Sequence, residues 1–225
     1  VLTTTHSAVN DAPTSAAATV SGTEDTLHTY AASNFAFSDD DSGDSIDKIK
    51  ITVLESTGDL ECQDKNGGSA GWEDCVADDF VAAGTDLRLT PAADSVADVT
   101  FSFMVHDGTT YSAAAYILTT THSNENDAPT SAAVTVANVE DTTKTYAAGN
   151  FAFSDADAGD SITRIKITIL ESSGDLECND ANGGDAGWAD CVADWYVDAG
   201  TDLRLAPVAD SVADVTFSFM VHDGT

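Results

Sequence analysis

The chain of 225 residues is long enough for one to three domains, and its 42% hydrophobic content allows each half to bury a modest core. Its 39 Asp and Glu residues against 8 Lys and Arg give a formal charge of -31, which argues against a nucleic-acid partner because a polyanion would be repelled. No apolar run approaches the roughly 20 residues that span a bilayer, so we expect no membrane insertion in this segment.

Apolar and polar residues alternate with a period of two along several stretches of the first half, which is typical of half-buried strands. The alternation predicts strands at Ala18–Gly22, Leu27–Tyr30, Asn34–Phe37, Ile46–Val53, Leu87–Leu89, Val99–Val105 and Tyr111–Thr119. Gly, Asp and Ser residues that favour turns separate these stretches. The pattern predicts an all-β protein built as an antiparallel Greek-key β-sandwich.

The two halves of the chain are near-copies. Pro, Cys, Trp and Asp residues recur at a spacing of 116, as Pro13/Pro129, Cys62/Cys178, Trp72/Trp188 and Asp107/Asp223. Alignment of residues 10–109 with 126–225 gives 78 identities in 100 positions. Such a long period indicates whole domains in tandem. We therefore assign 1–9 to the end of a preceding repeat or linker, 10–122 to the first repeat and 123–225 to the second.

The second repeat has no copy of residues 110–116, so we expect its sandwich to lack the last strand. The first six residues, VLTTTH, match ILTTTH at 117–122, near the end of the first repeat. Two interpretations follow. Either the chain is a window from a longer array, or the N-terminus of another copy supplies the missing strand.

Four cysteines fall as two local pairs, Cys62/Cys75 and Cys178/Cys191, without a CxxC spacing. An even, locally paired set predicts disulfides and an oxidising, extracellular compartment; reduced or metal-binding thiols are the alternative. Each paired loop is polar and glycine-rich and contains a tryptophan, Trp72 or Trp188. These tryptophans either contact a sugar or pack over their disulfides.

Acidic residues recur in the same order in both repeats, and calcium is the cation that such oxygen ligands suit. No short loop has the EF-hand spacing, so oxygens would have to converge from several loops at the ends of a sandwich. The predicted ligands are Asn10, Asp11, Glu24, Asp39, Asp41, Asp44, Asp94, Asp98 and Asp107 in the first repeat and Asn126, Asp127, Glu140, Asp155, Asp157, Asp160, Asp210, Asp214 and Asp223 in the second.

We expect the joint between the repeats to collect these ligands. Glu24, Asp94 and Asp98 of the first repeat would meet the acidic residues of the second around the linker 124–129. The alternative is a solvated acidic face, which we prefer for Asp40, Asp78, Asp79 and Asp198.

The motifs together resemble a known family. Asn126-Asp127-Ala128-Pro129 looks like the calcium-binding linker of cadherins. The order of Glu-Asp-Thr (24–26), Phe-Ser-Asp-x-Asp (37–41), Leu-Arg-Leu-Thr-Pro-Ala-Ala-Asp (87–94) and Phe-Ser-Phe-Met-Val-His-Asp-Gly (101–108) is similar to the cadherin-like tandem repeats of large bacterial surface adhesins. The resemblance implies Ig-like sandwiches, calcium at the domain joints and a role in cell-surface adhesion.

The chain also departs from that family. Ala128 stands where cadherin linkers have a further Asn, Ala8 replaces Asn124 in the first joint, and the disulfide loop is an insertion. These departures bear on the number of ions.

Catalysis finds little support, because GxSxG, HExxH and P-loop signatures are absent from the sequence. His106 and His222 precede Asp-Gly turns and are expected to bond those turns or face solvent.

We predict a non-enzymatic, extracellular, calcium-binding stalk segment of a cell-surface adhesin, whose partners are calcium ions and neighbouring repeats of the same chain. The alternative is a structural subunit of an extracellular filament or sheath, in which other copies join laterally or by strand donation. A carbohydrate-binding module around the two tryptophans comes third.

Overall fold

A computed structural model describes the chain except residues 8, 85, 182, 183, 185, 186 and 201. Ala8, which the sequence singles out in the first joint, therefore lies outside the described residues. The described chain is built from strands with three short 3-10 turns, so the prediction of an all-β protein is confirmed. It separates into two compact units, Val1–Glu125 and Asn126–Thr225.

The first unit has nine strands among its described residues. They are β1 (Ala18–Thr23), β2 (His28–Tyr30), β3 (Lys48–Val53), β4 (Asp59–Gln63), β5 (Trp72–Asp74), β6 (Phe80–Ala82), β7 (Leu87–Thr90), β8 (Val99–His106) and β9 (Tyr116–Ser123). They form a five-stranded sheet in the order β1-β9-β8-β3-β6 and a four-stranded sheet in the order β2-β7-β4-β5. Pairing is antiparallel except between β1 and β9, which run parallel.

Both sheets of the first unit contribute to one core, which explains why their strands alternate buried and exposed residues. Phe101 of β8 packs edge-on against Tyr30 of β2, with ring centroids 5.4 Å apart. Phe103 packs in the same way against Phe35, at 4.9 Å. Burial of such aromatic side chains is the main stabilising contribution in a unit of this size.

The second unit has seven strands among its described residues. They are β10 (Lys144–Tyr146), β11 (Arg164–Ile169), β12 (Asp175–Asn179), β13 (Trp188–Asp190), β14 (Tyr196–Asp198), β15 (Leu203–Ala206) and β16 (Ser218–His222). They form a three-stranded sheet, β14-β11-β16, and a four-stranded sheet, β10-β15-β12-β13. Counterparts of β1 and β9 are missing from the described strands of this unit.

One predicted strand is wrong. Residues 34–37 form no strand, because a 3-10 turn at Ala32–Asn34 occupies the site. The Asn34 side chain holds that turn by accepting a hydrogen bond from the Ala31 N–H at 2.7 Å. The sequence prediction also missed β4, β5 and β6, which are short.

Both predicted disulfides are present, joining Cys62 to Cys75 and Cys178 to Cys191. Cys62 and Cys178 lie in the cores of their units. Two disulfides are compatible with an extracellular compartment. Among the described residues, no helix is long and apolar enough to cross a bilayer.

Candidate metal centre

The first unit brings three aspartates together after the predicted acidic loop. Oxygens of Asp39, Asp44 and Asp107 lie within 4.8 Å of one another. Asp39 and Asp44 belong to the loop before β3, and Asp107 directly follows β8. The loop can turn back on itself because Gly43 has a φ of +105°, a conformation that favours glycine.

Hydrogen bonds tie the N-terminal linker of this unit to the acidic loop. The Asn10 side-chain amide donates to Asp107 Oδ2 at 3.0 Å, and the Asp11 N–H donates to Asp41 Oδ2 at 2.7 Å. The Asp41 N–H in turn donates to Asp39 Oδ1 at 2.9 Å. Predicted ligands from three separate segments are therefore brought to one place.

The second unit repeats this arrangement at positions shifted by 116. Oxygens of Asp155, Asp157 and Asp160 lie within 4.8 Å of one another. The Asp127 N–H donates to Asp157 Oδ2 at 2.7 Å, and the Asp157 N–H donates to Asp155 Oδ1 at 3.0 Å. In this unit, too, the linker meets the acidic loop.

Asp223 completes the second cluster, as Asp107 does the first. The Asn126 amide donates to Asp223 Oδ2 at 3.1 Å, and the Thr225 N–H donates to Asp223 Oδ1 at 2.9 Å. We name the first-unit group of Asn10, Asp11, Asp39, Asp41, Asp44 and Asp107 cluster 1, and its second-unit counterpart of Asn126, Asp127, Asp155, Asp157, Asp160 and Asp223 cluster 2.

Crowding of negative charge shifts the pKa of one carboxyl group in each cluster. The pKa of Asp44 is raised, first by desolvation and then by the charges of Asp39, Asp41 and Asp107. Desolvation and the neighbouring aspartates of cluster 2 raise the pKa of Asp160 in the same way. A cation placed among these groups would relieve the repulsion that produces the shifts.

Hydrogen bonds favour the ionised form of one further carboxylate in each cluster, Asp107 in cluster 1 and Asp223 in cluster 2. The N–H of Thr225 and the side chain of Asn126 lower the pKa of Asp223. Desolvation acts to raise the pKa of Asp107, but hydrogen bonds from Asn10, Thr110 and Thr109 outweigh it, so that this pKa is lowered as well. Both carboxylates are thus prepared to ligate a cation near neutral pH.

One buried carboxylate oxygen without a hydrogen-bond donor supports a cation in each cluster. Asp39 Oδ2 and Asp155 Oδ2 are buried and accept no hydrogen bond from the described residues. Leaving a buried carboxylate oxygen without a partner is costly, and a metal ion would remove that cost. The donors are carboxylate and amide oxygens, without His or Cys, which suits calcium or magnesium better than zinc.

The other predicted ligands behave differently. Glu24 is only 2% exposed, and its Oε1 accepts the Glu125 N–H at 3.0 Å. The Asp94 N–H donates to Asp25 Oδ1, and the Asp210 N–H donates to Asp141 Oδ1. Sequence reasoning missed the role of Asp25 and Asp141, although each follows directly after a predicted ligand.

Five predicted ligands are exposed and belong to none of the acidic groups found among the described residues: Asp11, Asp98, Glu140, Asp210 and Asp214. The structure describes each unit by itself, so the meeting of first-repeat and second-repeat ligands at the joint stays a prediction.

The solvated acidic face is confirmed for Asp40, Asp78 and Asp198, which are exposed. It is wrong for Asp79, which is 8% exposed. Asp79 accepts hydrogen bonds from the Asn66 side chain and the Val76 N–H and pairs with Lys65 at 3.3 Å. These local partners keep a carboxylate stable inside the loop.

The histidines and tryptophans also have local partners. His106 Nδ1 accepts the Gly108 N–H at 2.9 Å and His222 Nδ1 accepts the Gly224 N–H at 2.8 Å, so both bond their turns as the sequence predicts. The guanidinium carbon of Arg88 lies 4.2 Å from the centroid of the Trp72 ring. Arg204 stacks on Trp188 in the same way, at 4.0 Å. One contact of each tryptophan is therefore a cation-π pair.

A scan of the chain against protein-family models finds no match, and a search of curated protein sequences finds none either.

Proposed function

We propose that this chain is a non-enzymatic segment of a calcium-binding tandem-repeat stalk, part of an extracellular adhesin at a cell surface. The observation that carries the proposal is the recurrence of one oxygen cluster, with its linker attached, at equivalent positions of both units. The order of the acidic motifs, which resembles that of cadherin-like repeats, and the two disulfides support the same interpretation.

The physical role of calcium follows from the charges. Unneutralised carboxylates a few ångströms apart repel one another by about 1 kcal/mol per pair in water, and by several times more when partly buried. Calcium binds roughly six to eight oxygens, so one ion would draw several of these groups together. Asp155, Asp157, Asp160 and Asp223 of cluster 2 would hold the ion, and Asn126 and Asp127 would be fixed as parts of the same site.

Cation binding would stiffen the chain by fixing the linker between the repeats. Glu125 is bonded to Glu24 of the first unit, whereas the next residue, Asn126, is bonded to Asp223 of the second. Ordering of such a short connection by a bound cation would remove its freedom to bend. A series of these repeats would then transmit force and keep its length, as a stalk requires.

Calorimetric titration of the metal-free chain with calcium tests the binding step. We expect uptake into two equivalent classes of site, with the Asp39→Asn/Asp44→Asn variant losing one class and the Asp155→Asn/Asp160→Asn variant losing the other. Asp40→Ala is the matched control, because Asp40 is exposed and the second repeat has Ala156 at the same position. Absence of uptake at millimolar calcium would overturn the proposal.

Small-angle X-ray scattering tests the mechanical step. Calcium is expected to increase the longest dimension of the wild-type chain and to leave that of the Asp155→Asn/Asp160→Asn variant unchanged. If calcium binds but the scattering curve is the same with and without it, the clusters bind ions without stiffening the chain.

A further inference from the structure

Two histidines lie at one end of the first unit, on strands of opposite sheets. His28 is the first residue of β2, and His122 is the last residue but one of β9. Strand β1 runs parallel to β9, and residues 24–27 connect the end of β1 to the start of β2. The start of β2 and the end of β9 therefore come to the same end of the unit.

Both imidazoles belong to the inner layer between the two sheets. The Tyr30 hydroxyl of β2 and the Thr120 hydroxyl of β9 are 2.6 Å apart, so these two side chains meet between the sheets. Side chains alternate along a strand, and His28 and His122 each lie two residues away, on the same inner faces. The His28 ring packs edge-on against the Tyr30 ring, with centroids 4.8 Å apart.

A backbone hydrogen bond fixes the tautomer of His122. Its Nδ1 lies 3.0 Å from the carbonyl oxygen of Ala97. Because a carbonyl oxygen can only accept, Nδ1 carries the proton, and the neutral ring presents the lone pair of Nε2. A histidine that ligates a metal through one ring nitrogen usually donates the other N–H to a carbonyl or carboxylate in this way. The His122 ring is therefore oriented to ligate through Nε2.

The Nε2 atoms of both histidines are buried and have no hydrogen-bond partner among the described residues. A buried polar atom without a partner is costly, and one ligand bound by both nitrogens would remove two such costs. Burial lowers the pKa of His28, and the charge of His122 acts in the same direction. His28 is thus neutral near pH 7, which is the form that binds a metal.

The near-copy of this repeat differs at two positions around the histidines. Gly22 of β1 lies opposite His122, and a Cβ there would approach the His122 ring at 3.3 Å, closer than an ordinary contact. The second repeat has Asn138 at the position of Gly22 and Lys144 at the position of His28. The residue that makes room for one imidazole and the residue that supplies the other are therefore both features of the first repeat.

We propose that His28 and His122 bind a divalent transition-metal ion, with zinc as the first candidate, through their Nε2 atoms. Imidazole nitrogen suits zinc, copper and nickel, whereas calcium prefers oxygen ligands. Two protein ligands leave positions on a tetrahedral ion open to water or another small ligand. An ion held here would link β2 to β9 across the core, beside the bond between Tyr30 and Thr120. The site does not require calcium and does not rest on the proposed function.

Proton NMR of the histidine rings during titration with zinc chloride tests the site in the wild-type chain. The chain has five histidines, and millimolar calcium in the buffer competes for clusters 1 and 2. We expect zinc to shift the ring signals of His28 and His122 and to leave those of His6, His106 and His222 in place. Shifts of His6 alone, shifts confined to His106 and His222, or no shift at ten equivalents of zinc would overturn the proposal.

Calorimetric titration with zinc measures the contribution of one ligand. His28→Gln should weaken zinc binding by at least about tenfold, as loss of a metal's supporting groups does. His6→Gln is the matched control, because His6 is an exposed histidine of the same chain, and it should leave the affinity unchanged. Equal affinities of the two variants would overturn the proposal.

Electron paramagnetic resonance of the wild-type chain with one equivalent of Cu²⁺ needs no variant to fold. We expect hyperfine coupling to two imidazole nitrogens, unchanged by added calcium. Coupling to no nitrogen would assign the ion to carboxylate oxygens and overturn the proposal, as would coupling that is lost in His6→Gln.

Discussion

The two units differ in structure, although residues 10–109 and 126–225 are near-copies in sequence. Phe101 and Phe217 occupy the same position in the sequence Val-Thr-Phe-Ser-Phe-Met-Val-His, but Phe101 is buried inside an eight-residue strand and Phe217 precedes a five-residue strand with its ring partly exposed. The second unit lacks a counterpart of β9 among its described residues, and its β16 forms only next to β11. Strand length in this fold is therefore set by the neighbouring strand more than by local sequence.

Residues 134–139 support the same lesson. They read Val-Thr-Val-Ala-Asn-Val, richer in β-branched residues than Ala-Thr-Val-Ser-Gly-Thr of β1, yet they form no strand. In the first unit β1 is paired with β9. Residues 134–139 have the stronger intrinsic preference for a strand but form none, because the second unit has no equivalent of β9 among the residues described. β-Propensity acts only where a partner strand is present.

The largest expected difference between the units comes from one substitution made in each. Phe101→Ala should destabilise the first unit by about 3–5 kcal/mol, because it removes a fully buried ring. Phe217→Ala should cost less than half as much, because that ring is partly in water already. Hydrogen exchange of β3 and β11, followed by mass spectrometry, measures each unit separately. Equal losses of protection would show that Phe217 is as buried in solution as Phe101.

Removal of each disulfide should affect the units equally. Each closes a loop with a sequence separation of 13, for which chain entropy gives about 3 kcal/mol. Cys62→Ser/Cys75→Ser and Cys178→Ser/Cys191→Ser are therefore expected to lower urea midpoints to the same extent in their own units. Unequal shifts of the two urea midpoints would show that the disulfide loops also contribute differently to the stability of the two units, in addition to the difference at β9.

Loss of the tyrosine hydroxyl should affect only the first unit. Tyr30→Phe breaks the buried bond to Thr120 and leaves the threonine hydroxyl unsatisfied, at a cost of about 1 kcal/mol. Tyr146→Phe removes the hydroxyl that has no β9 threonine beside it, so we expect almost no change in the unfolding midpoint.

The smallest expected effect is on pH dependence without metal. The pKa values of Asp44 and Asp160 are raised above 3.8, so the folded chain holds these protons more tightly than the unfolded chain does. Their contribution to stability is present at low pH and is lost as the pH rises through the raised values. In EDTA, Asp44→Asn and Asp160→Asn should therefore raise the melting temperature at pH 7 but not at pH 3.

The asparagine variants should have the opposite effect with calcium, because the metal needs the negative charge. Both units should respond alike, since cluster 1 and cluster 2 are independent of β9. A destabilising effect of Asp44→Asn in EDTA at pH 7 would contradict the assigned repulsion.

Local signals made part of this structure predictable. The alternation in Val99–His106, the Cys pairs and the Asp39, Asp41 and Asp44 spacing all act over a few residues, and the structure contains the strand, the disulfides and a cluster around that loop. The parallel pairing of β1 with β9 joins segments about a hundred residues apart and leaves no local pattern. The orphaned Asp39 oxygen depends on packing around the folded loop, which sequence spacing does not specify.

The second repeat has Trp195 at the position of Asp79, and this difference affects whether neighbouring repeats can mix their segments during folding. Asp79 pairs with Lys65, whereas the second repeat has Trp195 against its core and Ala181 in place of the lysine. If the repeats exchanged segments at a boundary between residues 65 and 79, either Asp79 would be buried without its cation or Lys65 would face an indole. Near-identical neighbours are prone to exchange segments as they fold. The Lys65/Asp79 pair of the first repeat and the Ala181/Trp195 pair of the second are therefore incompatible with each other. A domain that mixed the two pairs would be less stable than one folded from the residues of a single repeat.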